Sequence, residues 1–177
     1  MEYAVGDTVM HPTHGPGQIT AVKHIELVEG FEHYYEIEIP GVSLTLNIPV
    51  RKMEEIGVRP LMREGKLERV LETLCSAPEA LSDNYKARQA GVLNKLKSGL
   101  PIQLAQAVRD LTWREASSSL THRDAQLLTQ AQDALVAEVA LVKGIAVPEA
   151  SHMIRSVLDR ALKREELHGG SENDGKT

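Results

Sequence analysis

The sequence predicts an α+β protein of two domains, a small antiparallel β-barrel followed by an all-α bundle of about five helices. Three observations predict it. Apolar residues alternate up to about residue 58 and recur with a helical period beyond it. Turn signals cut the first half into short runs, whereas the second half carries helix start and stop signals. The charge also divides there: residues 1–58 hold nine acids and three bases, net −6, and residues 59–177 hold sixteen acids and seventeen bases, net +1. The expected boundaries are 1–58 and 59–167, with a disordered tail of Gly, Ser, Asn and Lys character over 168–177.

In the first half, Val5, Thr8 and Val9 lead into the turn-rich His11-Pro12-Thr13-His14-Gly15-Pro16-Gly17. A second run from Gln18 to Leu27 ends at Glu29-Gly30, and Tyr34-Tyr35-Glu36-Ile37-Glu38-Ile39 alternates until Pro40-Gly41. Val42, Leu44, Leu46 and Ile48 alternate again before Pro49. Such runs must bury one face, and closure into a barrel would remove their exposed edges. In the second half, Leu67, Val70, Leu71 and Leu74 form one helical stripe before Pro78. Asp83 is placed to cap a helix running to Lys97 and stopped by Ser98-Gly99. Pro101 opens a helix through Leu104, Val108 and Leu111; Thr121 caps a long one through Leu135 and Val142 to Gly144; Pro148 opens the last, with Met153, Val157 and Leu162 inside.

Several classes of function drop out. The single Cys75 cannot form an internal disulfide, which fits a reducing compartment. The N-terminus lacks the basic start and apolar run of a signal peptide, and residues 134–147 are too short and too charged to span a bilayer, so a cytoplasmic location is expected. There is no phosphate-binding Gly-x-x-x-x-Gly-Lys loop, no Gly-x-Ser-x-Gly elbow and no His-Glu-x-x-His helix. Gly15-Pro16-Gly17 is too short for a dinucleotide loop, and Ser117-Ser118-Ser119 reads as a connection. No catalytic residue and no cofactor is expected. Histidines 11, 14, 24 and 33 share the β half, but their spacing lacks a metal-site signature and turn histidines bonded to backbone are the expectation.

The informative residues are basic and aromatic. Residues 84–114 hold six bases, Lys86, Arg88, Lys95, Lys97, Arg109 and Arg114, against Asp110 alone, a net +5 inside an acidic chain. Such a cluster is either a solvated helical face or a surface for phosphates. Tyr85 continues the buried stripe of its helix from the first turn, where it is either a core tyrosine or a ring offered to a partner. Trp113 lies opposite Leu104, Val108 and Leu111, and either packs on a neighbouring helix or stands exposed.

The order of features resembles the CarD/CdnL family of bacterial transcription regulators. The matching residues are Val5-Gly6-Asp7-Thr8-Val9, His11-Pro12-x-His14-Gly15-x-Gly17, Leu46-x-Ile48-Pro49, Ile56-Gly57-Val58-Arg59 and Asn84-Tyr85. They continue through Leu93-x-Lys95-Leu96-x-Ser98-Gly99, Val108-Arg109-Asp110-Leu111 and Leu135-Val136-x-Glu138, so the resemblance covers roughly residues 1–165. The N-terminal half is also similar to the polymerase-interaction domain of transcription-repair coupling factors. The resemblance implies a Tudor-like β domain that pairs strand edges with the RNA polymerase β subunit. It implies a helical domain on promoter DNA at the upstream edge of the −10 element, where a tryptophan wedges into the minor groove and stabilises the open complex.

Carried over by position, the wedge falls on Tyr85. The bases that follow it are present as Lys86 and Arg88, with Lys95, Arg109 and Arg114 as basic neighbours, while Ala87 and Ala90 stand where further bases are common. On the polymerase side, Glu26 and Asn47 fall where the family often has arginine, and Val28 and Leu44 keep apolar contacts. The expectation is a monomeric, non-enzymatic regulator in the bacterial nucleoid, without membrane contact. The alternative is a protein-binding adaptor whose helical domain does not wedge into DNA.

Overall fold

The computed structural model describes residues 2–169, with side chains through Arg164. Four antiparallel strands, β1 (Thr8–His11), β2 (Gly15–Val28), β3 (Phe31–Ile39) and β4 (Leu44–Pro49), form a meander. A 3-10 turn at Val50–Lys52, the one-turn helix α1 (Met53–Ile56) and a two-residue strand β5 (Arg59–Pro60) follow. The strand order is β4-β3-β2-β1-β5. Five longer helices complete the described residues: α2 (Glu64–Cys75), α3 (Tyr85–Ser98), α4 (Pro101–Ser117), α5 (His122–Lys143) and α6 (Val147–Gly169).

The alternation in β3 does what its sequence requires. Tyr35, Ile37 and Ile39 point inward to meet Val9, Ile19, Ile48, Met53 and Val58 in a core of their own. The Tyr35 hydroxyl accepts from the Tyr3 N–H (2.9 Å) and donates to the Tyr3 carbonyl (3.1 Å), pinning the N-terminal segment to the sheet. Tyr34, on the opposite face, is buried as well, and its hydroxyl accepts from the Val28 N–H at 3.1 Å.

Several details depart from the sequence reading. β2 begins at Gly15, inside the segment read as turn. Val42, read as strand, is exposed in a turn where Ser43 takes φ 49°. Among the described residues the strand order ends in β4 on one side and β5 on the other, which leaves β4 an edge of the sheet.

Gly17 is where the β core leaves no room. It sits opposite Val9, and a Cβ there would lie 2.6 Å from Ile37 Cγ2 and 2.7 Å from Ile39 Cδ1. Gly17→Ala is expected to cost about 1–3 kcal/mol through overpacking, measurable as a lower urea midpoint at unchanged slope.

In the helical part, α2 buries Leu67, Val70 and Leu74, and the stripes of α4 and α5 meet them in a second core. The caps follow local chemistry. Thr121 accepts from the Asp124 N–H (3.1 Å), and Gly99 and Gly144 end α3 and α5 in the left-handed region. The cap of α3 is Asn84 rather than Asp83: its side-chain oxygen accepts from the N–H of Lys86 (2.9 Å) and Ala87 (3.3 Å). Asp83 lies one residue too early to reach the free N–H groups of the first turn. α6 runs through Gly169, two residues into the expected tail; residues 170–177 lie outside the described residues.

The two parts meet at a fitted contact. Pro12, at the β1–β2 turn, packs where a Cβ on Gly57 or Gly99 would lie 3.5 Å or 3.2 Å from its ring atoms. Beside it the Arg59 guanidinium holds the Glu138 carboxylate with two bonds, Nη1–Oε1 at 2.6 Å and Nη2–Oε2 at 2.8 Å. Arg59 also donates to the Gly99 carbonyl from Nε (2.9 Å) and Nη2 (2.5 Å), while the Met62 N–H donates to Glu138 Oε1 (2.8 Å). Glu138 is fully buried. The sheet's last strand, the end of α3 and the middle of α5 are thereby joined through one ion pair.

Candidate nucleic-acid and polymerase interfaces

The first turn of α3 is presented to solvent by what lies beneath it. Arg88, only 4 % exposed, turns inward and binds Asp124 Oδ2 through Nε (3.2 Å) and Nη2 (2.8 Å). Its Nη1 donates to the carbonyls of Ser82 (2.8 Å) and Asp83 (3.2 Å), fixing the loop that enters the helix. The Gln89 side chain donates to Thr121 Oγ1 at 3.2 Å. The N-termini of α3 and α5 therefore lie side by side. Burial alone would raise the Asp124 carboxyl, but hydrogen bonds from Arg88 and Thr121 outweigh it and hold the pKa below the ordinary carboxylate value.

Above this pair Tyr85 is 54 % exposed and Lys86 is exposed. The first turn of α3 carries no acid, and the carboxylate in the first turn of α5 is Asp124, already matched by Arg88. Two helix N-termini and Lys86 therefore contribute positive potential around the ring, opposed by the exposed Asp83 carboxylate just before the α3 cap. Arg123 and His122, exposed in the first turn of α5, stand on the same end of the bundle. Sequence reasoning missed these two, because their nearness to Tyr85 comes only from the packing of α3 on α5. Arg114 is partly buried and lies 4.0 Å from the exposed Asp83.

Of the remaining bases singled out in the sequence, Lys97 is exposed near the end of α3, whereas Arg109 and Lys95 face inward. Arg109 is 4 % exposed; Nε bonds Asp110 Oδ1 at 2.8 Å and Nη1 bonds Ser76 Oγ at 2.7 Å. Lys95 reaches Asp110 Oδ2 (3.1 Å) and Glu79 Oε2 (3.2 Å), and the Glu79 N–H donates to Asp110 Oδ1 (3.0 Å). The Lys95 ammonium holds the Glu79 carboxyl below its ordinary pKa. This network ties the α2–α3 loop to α3 and α4. Arg88, Lys95 and Arg109 therefore belong largely to the scaffold that shapes the surface. Trp113 is partly buried, with Nε1 enclosed and without a hydrogen-bond partner among the described residues.

On the sheet, Glu26, Val28 and Asn47 are exposed, whereas Leu44 packs against the β core. The four do not converge on one spot. Val28 pairs with Phe31 and Leu44 with Ile39, eight residues along β3, which separates them by about 26 Å at the usual rise per residue. Leu44 and Asn47 lie on β4, whose outer edge pairs with no strand among the described residues and can accept an added strand, while Glu26 and Val28 lie on β2, beyond β3. Among the histidines, His11 Nδ1 accepts from the backbone N–H of Thr13 (3.1 Å) and His14 (3.3 Å), the turn role expected of it. Burial and the adjacent His14 lower its pKa.

No helix among the described residues is long and apolar enough to cross a membrane. Two family models match the chain in order. Residues 3–62 match the CarD-like/TRCF RID domain, and residues 69–155 match the CarD C-terminal domain. A Bacillus subtilis (strain 168) protein named "Putative transcription factor YdeB" is 27 % identical over 143 residues, covering 81 % of this chain and 94 % of that protein. Both matched models describe a regulator architecture rather than an enzyme family. An antiparallel sheet followed by a helical bundle agrees with the expected two-domain α+β fold, the first part being Tudor-like. The chain belongs to the CarD/CdnL family of transcription regulators, a family that supports a role in transcription and in RNA polymerase interaction.

Proposed function

We propose that the protein regulates transcription initiation by bridging the polymerase β subunit and promoter DNA, stabilising the open complex. Residues 1–58 dock through the β4 edge, with Leu44 and Asn47 on that strand and Glu26 and Val28 on β2, beyond β3. Residues 59–167 lie on duplex DNA at the upstream edge of the −10 element, with the Tyr85 ring at the minor groove. The observation that carries this reading is the exposed Tyr85 ring, beside Lys86 in a first helical turn that holds no acidic residue. An aromatic ring set against an unstacked step stabilises distorted DNA, and neighbouring positive charge neutralises phosphates. The polymerase anchor raises the effective concentration of the DNA contact, so a small basic surface suffices.

Tyr85→Ala is expected to shorten open-complex lifetime several-fold, as loss of one aromatic–base stacking contact of about 1–3 kcal/mol requires, while polymerase binding stays unchanged. Lifetime is read from heparin-challenged complexes, and equal lifetimes would remove the wedge. The burial of Arg88 and Arg109 favours a second reading, an adaptor that binds protein alone. Salt separates the two: DNA affinity that falls with a log–log slope of roughly −0.9 per neutralised phosphate supports the DNA-binding form.

A further inference from the structure

The outer end of the β2–β3 hairpin gathers a donor set that its sequence spacing does not announce. His24 and His33 are directly opposed in the antiparallel ladder. Their rings lie with centroids 4.8 Å apart at an angle of 62°. Strict alternation would send Glu32 to the other face, but the ladder is irregular between His24 and Val28, and one carboxylate oxygen of Glu32 reaches the pair. One ligand atom from each of His24, Glu32 and His33 lies within 4.8 Å of the other two, and all three side chains are exposed.

We propose that His24, His33 and Glu32 form a binding site for a divalent transition cation of the zinc type. Two imidazoles with one carboxylate are the donors such ions select, whereas magnesium and calcium favour oxygen alone. Bonds of about 2.0–2.1 Å in a tetrahedral set require donors roughly 3.3 Å apart. The three groups, whose ligand atoms lie within 4.8 Å of one another, therefore need to close by at most about 1.5 Å to meet that spacing, which exposed side chains on a fixed cross-strand frame reach by rotamer adjustment. The backbone does the costly part, since the ladder already holds the two histidines in register.

Local charge assists. Residues 24–33 contain Glu26, Glu29 and Glu32 and no lysine or arginine. The cations on the neighbouring element are Arg51, which lines a hollow with Glu32 and His33, and Lys52, whose ammonium lies 5.9 Å from the Phe31 ring centroid. Their charge opposes a cation, so directed nitrogen coordination rather than field strength must supply most of the affinity. Three protein donors leave the fourth position open to water or to a donor from a partner. The site is independent of the DNA contact proposed above.

The test is calorimetric titration of the full chain with Zn2+ in a buffer that does not chelate it, paired with the imidazole NMR signals. One equivalent is expected to bind, and the His24 and His33 rings are expected to shift while folding is unchanged. Each of His24→Ala, His33→Ala and Glu32→Gln should weaken binding by at least the roughly 10–100-fold that loss of even an outer-shell partner costs a metal site. The double variant His11→Ala, His14→Ala should bind as the wild type does, which separates this site from the other histidine pair, whose rings are 4.7 Å apart. No Zn2+ binding by the wild type, wild-type affinity in any of the three single variants, or loss of binding in the double variant would overturn it.

Discussion

Arg59→Ala is expected to destabilise the protein by about 3–5 kcal/mol, the cost of breaking a buried ion pair from one side. The geometry makes the direction firm. Without the guanidinium, the fully buried Glu138 carboxylate retains the Met62 N–H, and the Gly99 carbonyl just past α3 loses the donors from Arg59. Glu138→Ala should cost less, about 2–3 kcal/mol, because Arg59 keeps its bond to Gly99 and is partly exposed, so water can reach it. The double variant should be no worse than Arg59→Ala alone, since the second truncation removes the stranded charge. Urea unfolding of the four proteins closes the cycle, and simple additivity would show that the two side chains do not act as a unit. Arg59 also belongs to β5, paired with Met10 of β1. The variant should therefore loosen the sheet's hold on the bundle and weaken any function that requires both at once.

The motifs that signalled the family are, for the most part, the joints of the fold. Ile56-Gly57-Val58-Arg59 and Leu135-Val136-x-Glu138 lie far apart in the chain and meet as one ion pair. Lys95 and Arg109, read as part of a basic surface, form with Asp110 a network that fixes a loop. Charge counting cannot distinguish an exposed base from one whose partner comes from another helix, so the net +5 of residues 84–114 overstated the surface. Helix positions were legible because caps and glycine stops are local: Thr121, Gly144 and Gly99 act as their residue types predict. The one cap placed wrongly, Asp83 for Asn84, is a choice between neighbours of similar chemistry that only the backbone decides. β5 and α1 were not legible, since two and four residues carry no period, and β5 exists because β1 offers it an edge. His24, Glu32 and His33 were invisible as a set, because cross-strand register and an irregular ladder bring them together.

The second large effect is expected at Asp124, beneath the exposed tyrosine. Asp124→Ala leaves the Arg88 guanidinium, 4 % exposed, with only the carbonyls of Ser82 and Asp83. Stranding a buried charge in this way costs about 3–5 kcal/mol, seen as a lower urea midpoint at neutral pH. The pair also makes the effect depend on pH. Its folded-state pKa lies below the ordinary carboxylate value, so the pair's stabilisation is complete above the unfolded value of about 3.9 and disappears as pH falls through the folded one. The gap in stability between wild type and Asp124→Ala should therefore be constant above that range and narrow below it. A gap that stays constant into stronger acid would mean that ionisation of Asp124 does not govern the contribution. The same pair holds the N-termini of α3 and α5 together beneath the exposed Tyr85 ring. Asp124→Ala should accordingly shorten open-complex lifetime at least as much as Tyr85→Ala does, although its side chain is buried and touches no DNA. A full-length lifetime in the folded Asp124→Ala protein would separate the seating of α3 from the DNA contact.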